Sequence, residues 1–327
     1  MIENELRPKV NEFEIQGTNF SDYQSPLFIA WQLNSICNLE CLHCCEEAGE
    51  IMPNELNREE VMDFCQQIVD LNIPYVAISG GEPMMHPDFF KICEFFRSNG
   101  ISLKVETNGL FINKEVAARF GKLGFRSVQI SVDGASQDTF EKMRIKGNFK
   151  KVIEACKFLV EAGVNTEIVF VPTKFNIHET GKLIDMSYDM GIYGFYTGKI
   201  MQIGRAGQNW DILCPSAQEY EEFFKVLTEK EKQYAGKMKV YYYPYDVIEE
   251  LKYRLEKPSA SLLVIPNGKT KLIGPLPFVC GDLRKSKLSE IWNDYQKAWK
   301  KDEVISFTKQ VIENPELLKE ANKWREL

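Results

Sequence analysis

The sequence predicts an α/β protein, a parallel sheet with crossover helices over roughly its first two thirds and a smaller α+β unit after it. Three observations carry this. From Phe28 onward, short β-rich runs alternate with amphipathic segments of helix length, the spacing of parallel strands returned by helices. About six strand-helix units occur, fewer than the eight of a closed barrel. The alternation breaks at "GRAGQNWDILCPS" (204–216), where glycine and polar residues interrupt it.

"FIAWQLNS" is the first strand and "REEVMDFCQQIVDLN" its return helix. The strands "YVAISG", "ISLKVETNG", "RSVQISVDG" and "NTEIVFVP" follow. Between them lie the helices "PDFFKICEFFRSNG", "NKEVAARFGKLG" and "FKKVIEACKFLVEAG". "IHETGKLIDMSYDMG" and "IYGFYTGKIMQIG" form the last helix-strand pair. Cys65, Cys93 and Cys156 sit within apolar helical patterns and read as core residues. After the break come the charged helix "AQEYEEFFKVLTEKEKQYAG", the strands "KMKVYYYP" and "ASLLVIPNGKTKLI", and the helix "KLSEIWNDYQKAWKKD". The expected organisation is an N-terminal extension over 1–25, a main domain over 26–213 and a C-terminal domain over 214–327.

The chain has 327 residues, a formal charge of -7 and 44% apolar residues, enough for one sizeable core and an appendage. No long apolar run offers a membrane span, and the first residues lack the apolar core of a signal peptide, so a cytoplasmic protein is expected. Mild acidity argues against a broad nucleic-acid surface. Nine cysteines in a reducing compartment point to free thiols or bound metal rather than disulfides.

Four of those cysteines fall within "CNLECLHCC" (37–45). In parallel α/β folds the reactive face lies beyond the carboxyl ends of the strands. Cys37, Cys41 and Cys44 follow the first strand, "GGEP" the second and "TNG" the third, while Ser131 and Asp133 end the fourth. All converge on one rim. The C-x3-C-x2-C spacing can direct three thiolates at one centre, as iron-sulfur clusters require, and structural zinc would want a fourth ligand. Taken alone, the cysteines allow an open-site cluster, an ordinary cluster, a zinc loop or unligated thiols.

"CNLECLHC" followed by "ISGGEP" resembles the signature of the radical S-adenosylmethionine (SAM) superfamily. The similarity continues through "VETNG" and "QISVDGASQDTFEKMRIKGNFKKVIEA", strong over about residues 28 to 205 and weaker in "GDLRKSKLSEIW". The resemblance implies a partial (β/α)6 TIM-like barrel with one [4Fe-4S] cluster at its mouth. Cys37, Cys41 and Cys44 would hold three irons and SAM would chelate the fourth. An external one-electron donor such as a flavodoxin or ferredoxin would supply the reducing electron. The 5'-deoxyadenosyl radical released from SAM would then take a substrate hydrogen.

Further assignments follow. Gly80 and Gly81 let the backbone approach a ligand, and Glu82 sets an anion where the SAM ammonium would lie. His43 takes the position that packs against adenine, with no metal role. Asn108, Ser131 and Asp133 are polar strand-end residues suited to the ribose, Ser131 foremost, though each is also a natural cap or turn residue. Arg144 and Arg205 offer guanidinium groups to a carboxylate.

The tail resembles the SPASM/twitch extension of peptide-modifying and cofactor-pathway enzymes, yet it keeps only Cys214 and Cys280, without a C-x2-C pair, so no auxiliary cluster is expected. Cys280 is a candidate hydrogen donor at the barrel mouth, or a packed thiol. The expected function is radical modification of a ribosomally synthesised peptide. The alternatives are a haem or other cofactor-pathway enzyme, in view of "IMQIGRAG", and a non-enzymatic iron-sulfur protein.

Overall fold

Alternate residues of each barrel strand face opposite sides, and the apolar half is driven onto the helices. Val76, Ile78, Leu103, Val105, Val128, Ile130, Ile168 and Phe195 are fully buried. Trp31 packs edge-on against Phe64 and Phe96 of the return helices, with ring centroids at 5.0 and 6.4 Å. Each such burial stabilises by about 1.5–3 kcal/mol. The intervening residues face the concave side.

The computed structural model describes residues 20–327, so most of the extension expected over 1–25 lies outside the described residues. The strands in chain order are β1 (Phe28–Gln32), β2 (Glu40–Cys41), β3 (Tyr75–Ser79), β4 (Ser102–Thr107), β5 (Ser127–Ser131), β6 (Arg144–Ile145) and β7 (Thr166–Phe170). They continue with β8 (Gly194–Thr197), β9 (Lys239–Tyr242), β10 (Ser261–Val264), β11 (Lys269–Lys271), β12 (Phe278–Asp282) and β13 (Arg325–Glu326). β1, β3, β4, β5, β7 and β8 are parallel neighbours in sequence order. The sheet keeps two edges, so the six-unit partial barrel expected from the sequence is present.

Local signals set the helix ends. Asn57 caps Arg58–Asp70 in a box with Glu60, and Asn113, Ser136 and Asn148 cap the helices that begin at Lys114, Gln137 and Phe149. After Leu71 the chain leaves Arg58–Asp70 through Asn72 at φ 52°, a conformation asparagine tolerates.

The residues beyond 213 do not fold as a sheet of their own. β9 joins β8 in parallel and β10 joins β1 in parallel, extending the barrel sheet at both edges. "ASLLVIPNGKTKLI" is a hairpin, β10 and β11, turning at Gly268 with φ +81°. Helices Val247–Glu256 and Asp302–Glu313 were not foreseen, although Asp246 and Glu249 form a capping box that announces the first. Among the described residues no helix is long and apolar enough to cross a membrane.

Candidate functional site

The cysteine loop leaves β1 through a closed stem. Cys37 N–H donates to the Gly49 carbonyl and Gly49 N–H to that of Ser35, both at 3.0 Å, while Glu55 accepts Ser35 N–H at 2.8 Å. β2 then pairs antiparallel with β6, setting Cys41 opposite Arg144. All nine cysteines are free. Burial raises the Cys37 thiol pKa and pushes Cys41 to about 11, and the charges of Cys44 and Arg144 act on both. Arg144 Nη1 lies 3.6 Å from Cys41 Sγ.

The GGEP turn packs on the β1 exit. A Cβ at Gly81 would stand 2.1 Å from the Ile36 carbonyl oxygen, and one at Gly80, where φ is +143°, 2.4 Å from that of Asn34. Gly81 and Glu82 donate their N–H groups to those two carbonyls, at 2.7 Å to Asn34 and 2.8 Å to Ile36. The glycines therefore permit the close approach of two protein loops. Glu82 is fully buried. It accepts Thr107 Oγ1 at 2.7 Å, Asn108 N–H at 2.8 Å and Met84 N–H at 3.1 Å. Burial raises its pKa, opposed by those hydrogen bonds. Asn108 Nδ2 continues to Asn38 Oδ1 in the cysteine loop at 2.8 Å, so three strand-end segments form one network.

Asp133 is fully buried, with Oδ2 at 3.0 Å from His43 Nε2 and 2.7 Å from Arg144 Nη2, and Oδ1 accepting Val171 N–H at 2.7 Å. Burial alone would raise its pKa, but the Arg144 charge and His43 outweigh that and hold it well below the carboxylate range. Burial likewise opposes the charge of Arg144, and Asp133 overrides it. Sequence spacing could not foresee this triad, because its members come from the cysteine loop, the end of β5 and β6. Ser131 closes β5 half-buried, in register with Val169 of β7.

Arg205 turns to the cysteine loop, donating from Nε to the Cys41 carbonyl and from Nη1 to that of Ala48, both at 2.9 Å. Cys280 stands on β12, its Sγ 3.4 Å from the Thr270 carbonyl; burial pushes its pKa to about 12, and Asp294 and Lys301 are the charges acting on it. The sequence reading missed the inward face of the barrel. There Lys104 pairs with Glu167 at 3.1 Å, Gln129 donates to Glu167 at 3.3 Å, and Lys104 lies 4.9 Å from the Tyr196 ring centre. Alternation along β4, β5 and β7 was the available signal.

Among the described residues no three His, Cys, Asp or Glu side chains converge in a metal-binding arrangement. The donor set still fits an iron-sulfur cluster: three free thiols share one loop, and Leu39 N–H already bonds Cys37. Buried polar atoms nearby, Asn34 Oδ1, His43 Nδ1 and Arg144 Nε, lack hydrogen-bond partners, as expected where a polar ligand binds.

Residues 31–186 match the Radical SAM superfamily. Mycofactocin maturase MftC of Mycobacterium ulcerans is 32% identical over 209 residues, covering 63% of this chain and 56% of that protein. AdoMet-dependent heme synthase of Methanosarcina barkeri is 24% identical over 293 residues, 83% of each chain. The chain spans about half the length of the curated maturases it matches. The fold is similar to that of Streptococcus suis SuiB, solved bound to S-adenosylmethionine, with a TM-score of 0.66 and 16% identity over 82% of this chain and 66% of that one. The match of this domain implies use of SAM and a [4Fe-4S] cluster. The chain thus carries a domain of the Radical SAM superfamily at residues 31–186, continued by a C-terminal extension that resembles the SPASM/twitch domains of its structural neighbours.

Proposed function

We propose that this chain is a radical SAM enzyme that modifies a peptide. Cys37, Cys41 and Cys44 would hold one [4Fe-4S] cluster, with electrons from an external carrier such as a flavodoxin or ferredoxin. Held there, cluster and SAM would supply one-electron reductive cleavage of the sulfonium C–S bond, giving methionine and a 5'-deoxyadenosyl radical able to take a hydrogen from the substrate. The chain's own residues bind and orient. Ser131 and the free Nδ1 of His43 would serve the nucleoside, and Glu82 keeps the GGEP backbone and Asn108 in register. Asp133 fixes His43 and Arg144.

One observation supports a peptide over a tetrapyrrole. A polycarboxylate would call for convergent cations, and four cations near the mouth and on the inward face are engaged. Arg144 is paired with Asp133, Arg205 holds the Cys41 and Ala48 carbonyls, and Lys104 is paired with Glu167. Lys271 donates to the Gly274 and Ala321 carbonyls. SuiB has been solved bound to its precursor peptide SuiA, and the MftC relatives are maturases by name. The tetrapyrrole reading keeps one support, the 83% of this chain matched by a heme synthase.

The test incubates anaerobic, reduced protein and SAM with peptides encoded beside the gene and, separately, with haem-pathway intermediates, reading 5'-deoxyadenosine by mass spectrometry. Peptide-dependent release is expected. Turnover of a tetrapyrrole without response to any peptide reverses the substrate assignment.

A further inference from the structure

The cysteine loop is held from outside by its carbonyls. Arg205 takes two of them, Cys41 and Ala48, and its backbone N–H takes a third, Cys44, at 2.9 Å. Asn209 Nδ2 reaches the Leu42 carbonyl at 3.0 Å, and Asn322 Nδ2 reaches that of Cys45 at 2.8 Å and Glu47 Oε2 at 2.9 Å. Gly204 makes this contact possible: φ is +57°, and a Cβ there would stand 2.4 Å from the Cys45 oxygen and 2.8 Å from that of Cys44. The carbonyls of Cys41, Leu42, Cys44, Cys45 and Ala48 thus bond to two segments remote in sequence, 204–209 and the stretch around Asn322.

A peptide group whose C=O is drawn outward leaves its N–H on the opposite side; behind the Leu42, Cys44 and Cys45 carbonyls these are the N–H groups of His43, Cys45 and Glu46, whereas Leu42 N–H donates to the Met143 carbonyl at 3.1 Å and Gly49 N–H to that of Ser35. The potential of an iron-sulfur cluster depends on hydrogen bonds to its sulfurs, on nearby charge and on solvent exposure. Donors and cations stabilise the more negative reduced state. Resting on the cluster reading above, we infer that Arg205, Asn209 and Asn322 are positioning residues: Asn209, the Arg205 backbone and Asn322 hold the N–H groups of His43, Cys45 and Glu46 toward the cluster sulfurs, the Arg205 side chain anchors the loop at Cys41 and Ala48, and together they set the cluster's reduction potential and its retention. Arg205 adds a guanidinium charge beside Cys41. Through Asn322, the C-terminal segment becomes part of the cluster site although it supplies no ligand. The same segment is tied to the barrel by Gln202 with Glu316 at 2.7 Å and to β11 by Lys271 with the Ala321 carbonyl at 3.0 Å.

The test uses the full chain reconstituted anaerobically with iron and sulfide. Potentiometric EPR titration reads the midpoint, and transfer of iron to an added chelator reads retention. Arg205→Met is expected to shift the midpoint to more negative values and to lose iron roughly tenfold faster, the scale of outer-shell defects at metal sites. Arg205→Lys returns the charge without the two-carbonyl span, so it should recover part of the midpoint shift and little of the retention. Asn322→Ala should move both readings in the same direction by less. Circular dichroism separates these effects from misfolding, and should Arg205→Met fail to fold, Asn209→Ala and Asn322→Ala carry the test. Wild-type midpoint and iron loss in folded variants overturn the inference while the cluster stands. A wild-type chain that takes up no cluster overturns the cofactor reading itself, and this inference with it.

Discussion

The cysteines of the 37–45 loop and those of the tail carry the same side chain in opposite settings. Cys37, Cys41 and Cys44 lie in one loop, feel each other's charge and face the buried Arg144. Cys214 and Cys280 each point at a single carbonyl, of Pro215 and Thr270; burial raises them as it raises Cys37 and Cys41, so the difference lies in the grouping of the loop thiols around one cation. Thiols sharing a cation can be deprotonated together onto a metal, whereas an isolated buried thiol stays protonated and packs.

The largest effect should come from breaking the loop side of that contrast. Replacing Cys37, Cys41 and Cys44 together with alanine should abolish iron binding, while the Cys214→Ala/Cys280→Ala pair should leave it intact. Anaerobic iron and sulfide quantification decides, and about twice the iron of a single four-iron cluster in the wild type would restore a cluster to the tail.

Next comes Asp133→Asn, which leaves Arg144 buried without its counter-charge. Loss of a buried partner costs about 3–5 kcal/mol, read as a lower urea midpoint at neutral pH. The pH dependence has a definite sign. The folded pKa of Asp133 is depressed, so its contribution is fully present above the unfolded value near ~3.9 and fades as pH falls toward the folded value. Wild-type stability should therefore drop below about pH 4 more steeply than that of Asp133→Asn. Equal slopes would remove Asp133 from the acid response.

Glu82→Ala should weaken SAM binding by roughly tenfold, from ~1–2 kcal/mol of lost hydrogen bonds, with iron content retained because no thiol is touched. Unchanged SAM affinity would show that Thr107 and Asn108 hold the turn without it. The smallest change is expected from Cys280→Ala: wild-type iron and product formation, with stability lower by at most ~1 kcal/mol. Lost turnover at full iron content would instead give Cys280 the hydrogen-donor role and dissolve the contrast between the two sets of thiols.

Much of the site was legible because its parts are local. The C-x3-C-x2-C spacing, GGEP and the strand-end Asn108, Ser131 and Asp133 fall at the ends of runs whose alternation already defines strands. Their partners were less legible. Arg144 and Arg205 drew attention as cations for a ligand, yet they meet Asp133 and the cysteine-loop carbonyls. Thr107, Asn209 and Asn322 gave no signal, since a hydroxyl or amide in a loop looks the same whether it meets water or a buried group.

The sequence by itself determined the periodicities, and with them the parallel six-strand arrangement, the helix caps and the loop that carries three thiols, because period, propensity and capping are properties of neighbouring residues. Only the tertiary structure decided that β9 and β10 extend the barrel sheet at its two edges, that Asp133 gathers His43 and Arg144, and that Asn322 reaches Cys45 across 277 positions of chain. Those contacts depend on which buried polar groups find partners once the core has closed, and that choice is made between residues distant in sequence.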